Sequence, residues 1–166
     1  MAFSSDSDLQ TMLPAIFSYG ISSFAAYHQP ASDELGRDVR RLWIPRQSTV
    51  KAADFEPDNL DSDQWKRAAC CRVLAWHVLP ILMLESPKTS NKTETLNATK
   101  TDTETDSITT TATGSTPDFG KLIDIYKTSY LEEINSVIDD GVYYDSGSGL
   151  ARIQSYNKAE SQRLTR

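Results

Sequence analysis

The sequence predicts an all-α domain: a bundle of about four helices, with a long Thr-rich extended arm that a β-hairpin would fit, and a basic C-terminal tail. Three observations carry this expectation. Apolar residues recur at three- and four-residue steps in several separate segments, as helices with one buried face require. Between Ala68 and Leu84 the residues are apolar nearly all round, which suits a helix in the middle of a bundle. Residues 86–118 hold twelve threonines but only one Leu and one Ile, too little to bury a core. At 166 residues the chain fits one domain. Its parts are N-terminal helices with the central core helix (1–85), the arm (86–118), a long amphipathic helix and turn (119–149) and the tail (150–166).

In the first segment Leu9, Met12, Leu13, Ile16, Phe17, Ile21 and Phe24 form one apolar face, with Pro14 in a first turn or at a bend and Gln29 and Pro30 closing the segment. A second, shorter helix follows, with Ser32 as cap and Leu35, Val39 and Leu42 as its stripe; Gly36 weakens it. Residues 45–60 show no period and read as a connection packed by Val50, Phe55 and Leu60. The central helix is capped by Ser62 or Asp63 and kinks or ends near Pro80. It is a bundle helix rather than a membrane span, because its run without Arg72 is shorter than the ~20 residues a bilayer needs.

Between Thr93 and Thr113 threonine falls mostly on odd positions and Lys, Glu and Asp on many even ones. That period of two fits an exposed β-ribbon, and Thr93, Thr95, Thr99, Thr101, Thr103 and Thr105 would then pair with a neighbouring subunit. The same composition suits a disordered linker. Beyond it, Thr116 caps and Pro117 opens a helix whose stripe includes Phe119, Leu122, Ile123, Tyr126, Tyr130, Ile134, Val137 and Ile138, ended by Gly141 in the left-handed conformation. Trp65, Trp76, Leu79, Leu122, Tyr126, Tyr130 and Ile134 are the expected core. Trp43 also reads as a core aromatic rather than a recognition anchor.

Composition narrows the function classes. A formal net charge of −6 argues against a nucleic-acid clamp, since phosphates are held mainly by Lys and Arg. Cys70 and Cys71, adjacent in an apolar run with no second pair, read as buried reduced thiols, and the N-terminus, with two aspartates and no basic region, does not read as a signal peptide. His28 and His77 are the two histidines, and His77 reads as a core residue near Arg72 and Trp76. Catalytic, cofactor-binding and metal-ligating residues are not expected.

The stretch "IDDGVYYDSGSGLARIQ" looks most like a site. Counted from Asp145, a calcium loop would need ligands where Gly147 and Gly149 stand and glycine where Leu150 stands. A nucleophile elbow around Ser146 or Ser148 lacks its flanking glycines. A glycine helix stop, an extended piece over Val142–Tyr144 and an Asp-Ser-Gly turn explain the residues without chemistry.

The segment "QWKRAACCRVLAWHVLPIL", the helix "IYKTSYLEEINSVIDDGVYYD" with Tyr126, Tyr130 and Glu133, the "GVYYDSGSG" turn and the tail "NKAESQRLTR" together resemble the head-to-tail adaptor, or head-completion, proteins of tailed bacteriophages. The resemblance covers residues 64–85 and 119–166 and departs at Gly147, where the family's turn has an acid, and in the length of the Thr-rich insert. It implies a virion protein of the neck, assembled in the host cytoplasm as a twelvefold ring that docks on the portal and on a head-closure or tail-tube protein. Double-stranded DNA would pass the acidic lumen without specific binding, and Arg152, Lys158, Arg163 and Arg166 would dock on the portal. The rival expectation is a soluble regulatory or host-interaction protein that binds one protein partner through its helical core, with a disordered arm. Neither reading invokes a membrane or an enzyme.

Overall fold

The computed structural model describes residues 1–85 and 118–156. Its helices are α1 (Asp6–Met12), α2 (Ala25–Trp43), α3 (Ser62–Arg72), α4 (Leu79–Glu85) and α5 (Phe119–Asp140). A π-helical stretch, Val73–Val78, joins α3 to α4 without a break, so the described residues form four helical rods. Two strands complete the fold, β1 (Val142–Asp145) and β2 (Leu150–Ile153), paired antiparallel from Val142↔Ile153 to Asp145↔Leu150. The fold is therefore mostly helical, as the periodicity predicts, with a small sheet that an all-α reading does not contain.

Several boundaries differ from expectation, each for a local reason. The first apolar face does not lie on one helix: α1 stops at Met12 ahead of Pro14, a 3-10 turn spans Ile16–Tyr19, and Gly20 at φ 89° reverses the chain. Leu9, Ile16 and Phe24 are still buried, because the broken path wraps them around the same core. Pro30 does not close a segment; it sits inside α2, where only one helical turn precedes it and the loss is confined to the carbonyl of Ala26. Ser32, expected as a cap, lies within α2, donates to the His28 carbonyl (2.8 Å) and accepts the N–H of Phe3 (2.9 Å). At the start of α3 the cap is Asp61, whose carboxylate accepts the N–H of Asp63 (3.2 Å).

The rod from α3 to α4 passes Pro80 instead of ending there. Proline lacks the N–H that would bond the carbonyl of Trp76, and the preceding π stretch, in which the N–H of Leu79 reaches back to the Leu74 carbonyl, takes up the irregularity. The span Ser62–Leu84 is long and apolar enough, by length and composition, to cross a membrane. Here it is packed between α2 and α5, with 56% of its apolar window buried.

Helix α5 is capped by Asp118, which accepts the N–H of Lys121 (3.2 Å). The expected cap, Thr116 with Pro117, lies outside the described residues, as do the arm residues Thr93, Thr95, Thr99, Thr101, Thr103 and Thr105 and the tail residues Lys158, Arg163 and Arg166. Gly141 ends α5 with φ 107° and ψ 132°, a positive-φ residue but not the left-handed helical one expected. The polar tail does not begin at residue 150: Leu150–Ile153 is β2, because Ile153 pairs with Val142 and is buried beside it.

Two hydrophobic cores share the central rod. The larger gathers Leu35, Val39 and Trp43 of α2, Trp65 and Ala69 of α3, Tyr130, Ile134 and Ile138 of α5, and Val142 and Tyr144 of β1. The second lies along the other half, with Leu9, Ile16 and Phe24 against Leu74, Leu79, Leu82 and Phe119. Of the expected core residues Trp65, Leu79, Tyr130 and Ile134 are buried, and Trp76, Leu122 and Tyr126 are half-buried against the clusters.

The irregular connection 45–60 is fastened by two polar side chains. Gln47 accepts the N–H groups of Thr49 (2.6 Å) and Val50 (2.8 Å) and donates to the Val50 carbonyl (2.7 Å). The hydroxyl of Tyr144 accepts the N–H of Glu56 (2.9 Å) and donates to the Asp54 carbonyl (3.2 Å), while its ring packs on Phe55 and Trp43.

Gly36 explains itself in this packing: a Cβ there would stand 2.7 Å from Cβ and Cγ of Pro57. A Gly-to-Ala change inside a helix ordinarily stabilises by about 0.5–1 kcal/mol. Because the rigid proline ring cannot swing aside, Gly36→Ala is expected to have the opposite sign and cost about 1–3 kcal/mol, read as a lowered urea midpoint at unchanged slope.

Candidate functional site: two polar clusters between the helices

Arg72 is the last residue of α3, within the apolar run from Ala68 to Leu84 of the rod. Its Nε donates to Glu34 Oε2 (2.7 Å) and an NH group to Asp38 Oδ2 (3.4 Å), both acids on α2. From α5, Tyr130 donates its hydroxyl to the same Asp38 oxygen (2.7 Å). The guanidinium lies over the Trp76 ring, 4.2 Å from its centroid, and Trp76 meets Tyr130 edge-on at 5.2 Å. One cation thus ties α2, the central rod and α5 together.

Burial alone would raise the Glu34 pKa, but the Arg72 hydrogen bond and charge, helped by His77, hold the carboxyl below its ordinary value. The Tyr130 hydroxyl is pushed well up, first by burial and then by the bond to Asp38. His77 follows in the π stretch; its ring stacks on Tyr27 at 5.8 Å, and Nε2 lies 3.4 Å from Glu34 Oε2, outside hydrogen-bond alignment. The cluster is a closed set of ion pairs and aromatic faces, and its chemistry is to hold three rods in register.

A second cluster clamps the N-terminal segment. His28 of α2 meets Asp6 Oδ1 through Nε2 (2.9 Å) and Ser4 Oγ through Nδ1 (2.8 Å). Asp6 also accepts from the Ser23 hydroxyl (2.6 Å) and the N–H of Phe24 (3.1 Å). Serine, histidine and aspartate in a hydrogen-bonded chain bring a hydrolytic triad to mind, but there the carboxylate holds Nδ1 and the serine meets Nε2. Here the ring is used the other way round, and both Ser4 (9% exposed) and His28 (5%) are enclosed. The chain of bonds fixes Phe3 in the core. Burial raises the Asp6 pKa, but the hydrogen bonds from Ser23, His28 and Phe24 prevail and hold it below the ordinary aspartate value.

The hairpin turn is structural. Asp145 Oδ1 accepts the N–H groups of Gly147 (2.8 Å) and Gly149 (3.0 Å), and both glycines have positive φ. Cys70 and Cys71 are free and buried; burial, with Asp8 and Cys71 nearby, pushes the Cys70 thiol up to about 12, and burial pushes Cys71 up to about 11. Both are therefore protonated and unreactive at neutral pH. Arg152, assigned to a docking tail, stands in β2 and donates to the Asp140 carbonyl at the end of α5. Among the described residues no group of three or more His, Cys, Asp or Glu is placed to hold a metal.

Glu34 and Asp38 escaped the sequence reading although a signal was present. They stand four apart beside the Leu35 and Val39 stripe of α2, opposite the one arginine in the apolar run from Ala68 to Leu84, and a guanidinium in such a run needs an acid partner. Ser4 and Asp6 left no comparable trace, since their partner His28 is fixed by the chain reversal at Gly20.

Replacing Arg72 by methionine keeps the packed stem, takes the guanidinium from Glu34 and leaves Asp38 with the exposed Arg41 alone (3.5 Å). A loss of roughly 2–4 kcal/mol is expected in urea unfolding, part of it recovered in the triple change with Glu34→Gln and Asp38→Asn. For Asp6 the folded pKa lies below the unfolded one, so its contribution is present above the unfolded value and fades as pH falls through the folded value. Asp6→Asn should thus flatten the fall in melting temperature below about pH 4, measured by circular dichroism. Compared with known proteins, the chain matches no family model, no curated protein sequence and no solved structure.

Proposed function

We propose that the chain is a structural connector of the neck of a tailed phage, an adaptor subunit between portal and tail. The observation that supports this reading most is the contact between the two stretches that carry the resemblance. Helix α3 lies along α5, Arg67 pairs with Glu133 (2.9 Å), and Gln64 grips the hairpin, donating to the Gly141 carbonyl (2.8 Å) and accepting the N–H of Tyr143 (2.9 Å). An Ala- and aromatic-rich helix packed on a later Tyr- and Glu-bearing helix that runs into a glycine turn is the arrangement the resemblance implies.

The net charge of −6 suits a ring through which DNA slides, because like charges leave no condensed counterions to release. In this reading the ring is a homo-oligomer of twelve copies in the virion neck, with the portal on one side and a head-closure or tail-tube protein on the other. The tail beyond the hairpin, with Lys158, Arg163 and Arg166, supplies the cations for an acidic patch on the portal.

Truncation after Tyr156 spares β2 and removes those three cations. Against the portal protein encoded beside this reading frame, the truncated chain is expected to lose at least tenfold in affinity by biolayer interferometry, with more loss at low salt than at high. Unchanged binding would remove the tail from the docking role. If the neighbouring reading frames encode no portal, or the full chain neither binds it nor forms rings under electron microscopy, the connector reading falls and capture of a single soluble partner takes its place.

A further inference from the structure

We propose that the open edge of β2 takes up, as an added strand, residues 93–106 of the Thr-rich segment of a second copy of the chain. The proposal rests on the assembly reading above and names the contact between copies.

The orientation of the edge follows from β1. The carbonyl of Tyr143 accepts the N–H of Asp61 (3.2 Å) and its N–H goes to Gln64, so both backbone groups of Tyr143 face away from β2. Backbone groups alternate sides along a strand, so Val142 and Tyr144 face β2, and their register partners Ile153 and Ala151 face back. That leaves the N–H and C=O groups of Leu150 and Arg152 pointing outward. β1's far side is occupied by Leu60, bridged to Tyr144, and among the described residues no strand covers the outer side of β2. Beside this edge Leu150 is 54% exposed and Tyr143 38%, on one face of the hairpin. An unpaired edge flanked by exposed apolar side chains is a template for strand addition.

The occupant is argued from sequence and distance. In residues 93–106 threonine stands at 93, 95, 99, 101, 103 and 105, while Glu94, Lys100, Asp102, Glu104 and Asp106 stand at even positions. As a strand this puts β-branched side chains on one face and charges on the other. The segment leaves and rejoins the bundle where Leu82 and Phe119 share the second core, whereas β2 follows the opposite end of α5. A helix of 22 residues separates the two ends by about 33 Å. Residues 86–117 number 32, so each half reaches about 50 Å when extended, enough to cross to a neighbour. Because root and edge lie at opposite ends of the molecule, the exchange joins unlike patches, the head-to-tail contact that closes rings.

The test uses the full chain, with Leu150→Pro, which removes an outward N–H, and Leu150→Lys, which charges the edge, as two independent variants, their folds checked by thermal melting. Light scattering gives the mass against concentration, and hydrogen exchange follows the amides of Leu150 and Arg152. The proposal expects association of the parent chain with both amides protected, at least tenfold weaker association of both variants, and release by an excess of a synthetic peptide of residues 93–106. It is overturned by association that is the same in parent and variants, by rings in which both amides exchange freely, which leaves the connector reading standing, or by a monomer at the highest concentration. In a monomer, protected amides would assign the edge to the segment of the same chain. Association lost in the variants but untouched by the peptide would point to β2 pairing with β2 and would also overturn the proposal.

Discussion

The register of the bundle depends on one half-buried cation. Arg72 sits in the apolar run of the central rod, and an unpaired guanidinium there would carry a desolvation cost. Glu34 and Asp38 answer it from α2, Tyr130 braces Asp38 from α5, and Trp76 offers a π face from the rod itself. Apolar packing is non-directional and tolerates sliding of one helix along another. Displacing α2 by one turn, ~5.4 Å, would leave at most one of the two acids, which stand four residues apart, beside the cation, so the paired contacts set an axial register that the Leu35 and Val39 stripe leaves open.

The π stretch next to Arg72 connects this constraint to the second core. Pro80 removes a helical donor, and a break there would have divided the bundle into two loosely joined halves. The wider π turn carries the rod past the proline, so Leu79 and Leu82 reach the core formed with Leu9, Ile16 and Phe119. The same stretch places His77 against Tyr27 of α2, which packs on the second core. Rigidity in one half is thereby passed to the other through a continuous helix rather than through a loop.

How far the sequence could be read follows from how local each cause is. The α5 stripe, the apolar rod and the Asp-Ser-Gly turn are written in consecutive residues, and they stand close to where periodicity and turn chemistry put them. Pro30 misled because a proline one turn into a helix is tolerated, and sequence alone does not say where α2 begins. β2 went unread because Leu150, Ala151 and Arg152 are exposed and only Ile153 is buried, so no alternation is visible; Val142 across the register makes it a strand. The two clusters were hardest, since Ser4 with His28 and Arg72 with Glu34 meet across separations of 24 and 38 residues.

Those clusters also bear on where function can lie. Each gathers residue types that elsewhere do chemistry: a serine, histidine and aspartate in one, and an arginine, histidine and two carboxylates in the other. Apart from His77 Nε2, which has no hydrogen-bond partner among the described residues, the groups of both clusters turn their hydrogen bonds inward to partners that fix the fold. A side chain so engaged meets a substrate only by giving up bonds that hold the N-terminal segment or the α2 register. What the described surface offers instead is backbone and apolar area, the outward edge of β2 with Leu150 and Tyr143, and Ile125 and Leu131 exposed along α5. Groups of that kind recognise other polypeptides through strand pairing and shape, the kind of contact that the proposed connector role calls on.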